Sequence, residues 1–225
     1  MKKLFAVLLT VWAFNASAQQ TASTALNVQR FRIAFNGGFS QMLAKTSSEV
    51  PAEDRDYVGA LKSGYHYGID ATYFVKSWGL GLKFNQFKSS NSGFSTFEDA
   101  RVSISDHLTT TFVGPSFSAK KSSASNVHTF VFGLGMGYLG HRDNSSIGNI
   151  PVKLTGSTFG AAIDAAYDVK VTKYLALGAQ LSMVGGSLSK ITVEGMGVSE
   201  VRKLEDNQRE NLSRLDVSLG ARFNF

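Results

Sequence analysis

The stretch SRLDVSLGARFNF, residues 213–225, alternates without a break: Leu215, Val217, Leu219, Ala221, Phe223 and Phe225 fall on one side, and Arg214, Asp216, Ser218, Gly220, Arg222 and Asn224 on the other. Successive side chains of a strand point to opposite faces, so this is a strand with one apolar face and one face that holds all its charge. A sheet with water on one side shows that pattern, and so does a wall with lipid outside and a polar interior. The rest of the chain decides between them.

Reading the same period of two backwards gives seven more segments, over residues 30–41, 61–74, 79–88, 105–118, 128–138, 155–169 and 174–185. A tilted strand needs about 9–11 residues to cross a bilayer, and each segment meets that length. The first places Phe31, Ile33, Phe35 and Phe39 against Arg32, Asn36 and Ser40; the fifth sets a series of large apolar residues from Phe130 to Tyr138 against Gly133, Gly135 and Gly137. The fourth has the weakest alternation and is phased with Val113, Pro115 and Phe117 toward lipid. The connections alternate in length: 42–60, 89–104, 140–154 and 186–212 are long, while 75–78, 119–126 and 170–173 are short. Outer-membrane barrels have that asymmetry, with short periplasmic turns, long extracellular loops and, for an even strand count, both termini in the periplasm. An open sheet edge in hydrocarbon would leave unpaired backbone groups at several kcal/mol each, so eight strands must close into a ring. The expected fold is an all-β, eight-stranded antiparallel up-and-down transmembrane barrel.

At the other end, Lys2 and Lys3 precede an apolar run over residues 4–13, and Ala16, Ser17 and Ala18 follow. This is the plan of a secretory signal peptide, expected over residues 1–18, with the barrel domain over 19–225. Removing the signal takes two lysines and no acid, lowering the formal net charge from +6 to +4, too little to make a nucleic-acid-binding surface. The absence of cysteine rules out disulfides and thiolate chemistry. Mean hydropathy is close to zero, as it must be when outward apolar and inward polar residues average out. The soluble alternative is a secreted lipocalin-like barrel or sandwich. It would have to crowd the large aromatics into a narrow interior and leave Gly, Lys, Asp and Arg outside.

Ser218, Gly220, Phe223 and Phe225 fit the spacing polar, any, Gly, any, any, aromatic, any, aromatic. That spacing resembles the C-terminal signal by which the barrel assembly machinery recognises its substrates. The whole mature chain resembles the small eight-stranded outer-membrane barrels of Gram-negative bacteria, the grouping with OmpA-like, OmpX-like and OmpW-like domains. The segments from Phe112 to Phe117 and from Leu175 to Gly178 are similar to strands of its uncharacterised members. The resemblance implies location in the outer membrane among phospholipid and lipopolysaccharide, and dependence on the assembly machinery. It implies no particular activity, because function does not travel with a fold.

The inward residues of chemical interest are Arg32, Asp70, Lys83, Asp164, Arg214, Asp216 and Arg222, with Arg30, Lys62 and Asp106 near the ends of their segments. Eight strands leave room for little beyond side chains, so the expectation is a salt-bridged polar plug, with a narrow solute channel as the alternative. A second alternative is a lipid-A-modifying enzyme, since His66, His107 and His141 fall toward the extracellular ends of their strands. Asp106 and His107 are adjacent and so point to opposite faces, which weakens it. In the loops, Pro51 is placed to start a short helix and residues 191–201 to form a hairpin about Gly195 and Gly197. The expected protein is a non-enzymatic, monomeric scaffold with no cofactor or metal, whose extracellular loops meet an unidentified partner.

Overall fold

The computed structural model describes residues 29–46, 50–97, 100–205 and 209–225; the expected signal peptide lies outside them. The chain runs β1 (Phe31–Met42), a 3-10 turn (Ala52–Asp54), α1 (Arg55–Leu61), β2 (Ser63–Phe74), β3 (Trp78–Phe97), β4 (Ala100–Ser122), β5 (His128–Ile147) and β6 (Ile150–Lys170). It continues with β7 (Leu175–Gly185), β8 (Ser187–Leu188), β9 (Lys190–Gly195), β10 (Val198–Lys203), β11 (Glu210–Asn211) and β12 (Arg214–Asn224).

Strands β1 to β7 pair antiparallel in sequence order, and β12 lies between β7 and β1. The sheet is therefore a closed ring of eight strands. The seam runs from Arg32 opposite Asn224 to Met42 opposite Arg214, and two further bonds finish it, Phe31 N to Phe225 O at 3.0 Å and Phe225 N to Phe31 O at 2.8 Å. Closure pairs the backbone of every wall strand on both sides, which hydrocarbon requires.

The alternation read from the sequence is the alternation of the wall. Phe35, Leu82, Phe132, Phe159 and Leu219 lie exposed on the outside, while Arg32, Lys83, Asp168, Arg214 and Arg222 are buried inside. The fourth strand has the expected phase, with Val113 and Phe117 exposed and Phe112 completely buried. Outward aromatics meet near the short-turn end: Trp78 stacks on Phe117 at 6.2 Å between ring centroids, and Phe130 lies 4.8 Å from Tyr167. His128 joins them, with its Nδ1 2.7 Å from the Tyr167 hydroxyl. Rings with an apolar body and a polar tip suit a membrane–water interface.

Two of the expected long loops are not loops. Residues 89–97 and 100–104 continue β3 and β4, and 140–147 and 150–154 continue β5 and β6, so each pair rises as a hairpin past the apolar belt. Gly148, at φ +61°, makes the tight turn between the latter two. These extensions lie past the apolar belt and show no apolar alternation; backbone pairing and Ser/Thr contacts such as Ser105 with Ser146 at 2.9 Å hold them in register. Residues 61 and 62, expected in the second strand, instead end α1 and lead into β2. The hairpin expected at 191–201 is β9–β10, turning at Met196 and Gly197, whose φ values of 53° and 80° give the twist a two-residue hairpin favours. β9 also pairs with β6 from Thr155 opposite Thr192 to Val152 opposite Gly195, extending the wall.

Candidate functional site

The barrel positions two sets of side chains that chemistry or recognition could use, one filling the lumen and one crowning the long-hairpin end. The lumen is stacked in layers along the barrel axis. Toward the short-turn end, Phe74, Val131 and Ala166 form an apolar cluster. Beside it, one inward step nearer the turn on β6, Asp168 takes Arg32 of β1 at 2.8 Å and Arg222 of β12 at 2.7 Å, and Arg222 also donates to the Gly178 carbonyl at 3.1 Å. Next, Lys83 of β3 lies 3.0 Å from both Asp70 of β2 and Asp164 of β6. Asn36 donates to Asp70 at 3.1 Å and Gln180 to Asp164 at 3.3 Å. A cavity of about 20 Å³ beside this trio has room for one water.

The third charged layer joins Arg214 to Asp216 at 3.1 Å. Asn85 accepts from Arg214 at 2.5 Å and donates to Asp216 at 3.1 Å. Over this layer sits the larger apolar cluster, in which Phe87, Phe112, Leu139, Leu188 and Leu212 are completely buried. Leu188 and Leu212 come from the segment between β7 and β12, which folds inward over the mouth. The glycine face of β5 makes room for these groups: a Cβ at Gly133 would lie 3.0 Å from an Asp164 carboxylate oxygen, and one at Gly135 3.5 Å from the Phe112 ring.

All seven lumen residues singled out in the sequence lie in these layers. Arg30 does not; it sits outside and donates to Tyr73 at 3.4 Å. Lys62 lies at the rim against Thr46 at 2.5 Å, and Asp106 belongs to the crown. Sequence reasoning missed Asp168, the hub of the first charged layer, although its even position in the sixth segment already put it on the inner face. It also missed the Phe87 and Phe112 plug, because an apolar residue on an inner face breaks the pattern used to find that face. Counting Asp168, the three charged layers hold four cations (Arg32, Lys83, Arg214, Arg222) and four carboxylates (Asp70, Asp164, Asp168, Asp216). The three layers together are charge-balanced.

The histidines do not converge. His66 is buried with its Nδ1 2.8 Å from Ser40 Oγ, and Ser40 donates to Asp216 at 2.7 Å. A hydroxyl has one proton. With that proton given to Asp216, Ser40 accepts from His66 Nδ1–H, the reverse of the polarity a base needs to activate a nucleophile. His141 faces inward against Thr110 at 3.3 Å. His107 lies opposite Asn144 on the outer-facing row of β4. Among the described residues, no three His, Asp or Glu side chains gather in a way that could hold a metal ion.

In the crown, the Tyr57 hydroxyl of α1 donates to Asp106 of β4 at 2.6 Å, and Asn91 of β3 donates back to the Tyr57 carbonyl at 3.0 Å. Ser95 reaches Asp54 at 3.1 Å. The helix is thereby latched to the β3–β4 hairpin. Burial and the Asp106 acceptor push the Tyr57 hydroxyl above its ordinary range. Burial, reinforced by the nearby Asp106 charge, pushes Asp143 of β5 up to about 6.

No protein-family model and no curated protein matches the chain. Solved structures do. The fold is similar to a major outer membrane protein from Thermus thermophilus (TM-score 0.55, 12% identity, 87% of this chain and 98% of that one). It is also similar to Neisserial surface protein A (0.51, 13%, 87% and 97%) and to the outer membrane protease OmpT from Escherichia coli (0.50, 8%, 92% and 100%). The fold is that of the outer-membrane β-barrels. A protease among these neighbours is a reminder that the fold hosts more than one activity, so function must be argued from the lumen and the crown.

Proposed function

We propose that this protein is a non-enzymatic, non-conducting scaffold of the outer membrane, with its short turns and both termini in the periplasm and its hairpin crown displayed outside the cell as an interaction surface. The observation that supports it best is the filled lumen: three charged layers, balanced in sum, beneath the apolar cluster around Phe87 and Phe112. An ion entering would have to pass the Phe87 and Phe112 layer and then break buried paired charges, each of which strands its partner. A scaffold that closes its bore leaves its hairpins as the working surface, and surface segments on a rigid frame commonly bind partners. The reversed Ser40–His66 bond and the separation of the histidines support the non-enzymatic part of this reading.

Planar-bilayer recording on the refolded protein tests it. The expected trace is flat at physiological salt; discrete single-channel steps of uniform size would overturn the closed-bore reading. Extracellular display is tested on whole cells, where added protease should cut at the β9–β10 turn and leave the short-turn end intact.

A further inference from the structure

On β3 to β6 the outward apolar series ends in one register row: Phe84 opposite Val113, Val113 opposite Tyr138, and Tyr138 opposite Phe159. The next outward row toward the crown is Gln86, Thr111, Gly140 and Ser157, and the one after it Lys88, Thr109, Arg142 and Thr155. Four residues beyond Tyr138, Arg142 stands about 13 Å along the strand from the belt edge, at headgroup depth once strand tilt is allowed for. This part of the outer wall is concave. It encloses about 660 Å³ and has Arg142 and Lys190 at its sides. Gly140 lets it dip: a Cβ there would come within 2.7 Å of the Tyr138 ring, which lies flat against the bare backbone.

The charge on this face is one-sided. Neither Arg142 nor Lys190 makes an ion pair among the described residues, and Glu194, the carboxylate of the adjoining β9, is already 3.0 Å from Lys153. Lys190 stands directly opposite Lys203 across the β9–β10 ladder. Like charges facing each other across strands are destabilising unless an anion lies between them. Hydroxyl and amide groups line the floor between these cations, from Gln86 and Thr111 to Ser157 and Thr192.

We propose that this concave face binds the phosphorylated sugar headgroup of a membrane glycolipid: Arg142 and Lys190 take the phosphate, the Thr, Ser and Gln groups take sugar hydroxyls, and the acyl chains run down over Tyr138, Val113 and Phe159. The site rests on the reading that the crown end opens at the outer leaflet. An arginine suits a phosphate because its fork donates two parallel hydrogen bonds. Joined polar and apolar surface suits an amphiphile and has nothing to offer a free ion below the first row.

The test uses the full refolded chain in detergent micelles, with bound glycolipid read by native mass spectrometry. The probes are phosphorylated lipopolysaccharide, the same glycolipid with its phosphates removed, and inorganic phosphate. Phosphorylated glycolipid should bind the unaltered protein at least about tenfold more tightly than the Arg142→Gln, Lys190→Gln double variant. The dephosphorylated glycolipid should lose a similar factor, and millimolar phosphate should not compete. Both substituted residues are exposed, so heat-modifiable migration should be unchanged, and Arg142→Lys should retain part of the binding. Equal affinity for the double variant, equal binding of the dephosphorylated form, or displacement by phosphate alone overturns the proposal. Binding in micelles is independent of orientation and conductance, so a failure of the outer-membrane reading in whole cells or bilayers is distinguishable from a failure of this site.

Discussion

Lys83 holds two carboxylates that, among the described residues, have no other cation within ion-pair reach. Its side chain is almost wholly inaccessible, with Asp70 and Asp164 each 3.0 Å away, so it is the cation that both carboxylates share. Breaking a buried pair by removing one partner costs about 3–5 kcal/mol, because the charge left behind is stranded. Lys83→Met should lower unfolding stability in lipid vesicles by that amount, and restoring neutrality with Asp70→Asn and Asp164→Asn in the same chain should recover much of it. A urea midpoint for the single variant within experimental error of the parent would show that the layer is hydrated. The sequence placed Lys83, Asp70 and Asp164 on the inner face and left their pairing open, since they stand on β3, β2 and β6 and meet only across the lumen. The same holds for Arg32 and Asp168, 136 residues apart.

Among the elements, the β3–β4 and β5–β6 hairpins hold the least expected geometry, and Asp143 gives them a pH dependence. Its folded pKa is raised from 3.8 to about 6 by burial, then by Asp106, against the smaller opposing effects of Ser145 and His107. Between those values the folded hairpins hold a proton that the open chain releases. Their stability is therefore fully present below about pH 4 and declines as pH rises through about 6. Hydrogen-exchange protection of the β4–β5 extension, corrected for intrinsic rates, should be greater at pH 4.5 than at pH 7, and Asp143→Asn should flatten that difference. Protection that instead rises with pH in the parent chain would contradict the assigned direction. These extensions escaped the sequence reading for a physical reason: period-two hydrophobicity exists only where one face meets apolar surroundings, and above the belt the outer face has no lipid and the inner face is packed by polar groups such as Ser95, Asp106 and Asp143. The β9–β10 hairpin was legible because turn chemistry at Gly197 is local.

For the whole molecule, the question is how the ring closes. Phe225 contributes both the last aromatic of the assembly-signal spacing and a pair of backbone bonds to Phe31. Gly220 stands where a Cβ would come within 1.9 Å of the Phe35 carbonyl oxygen and 2.7 Å of the Arg222 guanidinium, so a glycine in that spacing also has a structural reason at the seam. Deleting Phe225 should sharply reduce heat-modifiable protein in cell envelopes while leaving refolding in detergent nearly unchanged, since only the terminal rung to Phe31 is lost and all eleven register pairs of the β1–β12 seam remain. Equal loss in both settings would make Phe225 a structural residue only; no loss in either would remove the signal reading altogether. By itself the sequence determined the number of wall strands, the phase of each and the face that holds charge, because hydrocarbon on one side of a strand writes its period directly into the residues. The tertiary structure alone decided which charges pair, that Phe87, Phe112, Leu188 and Leu212 seal the bore, and that Arg142 and Lys190 share one concave face. Each of these depends on the registers that bring distant strands together when the sheet closes on itself, and those registers leave no trace in any single segment.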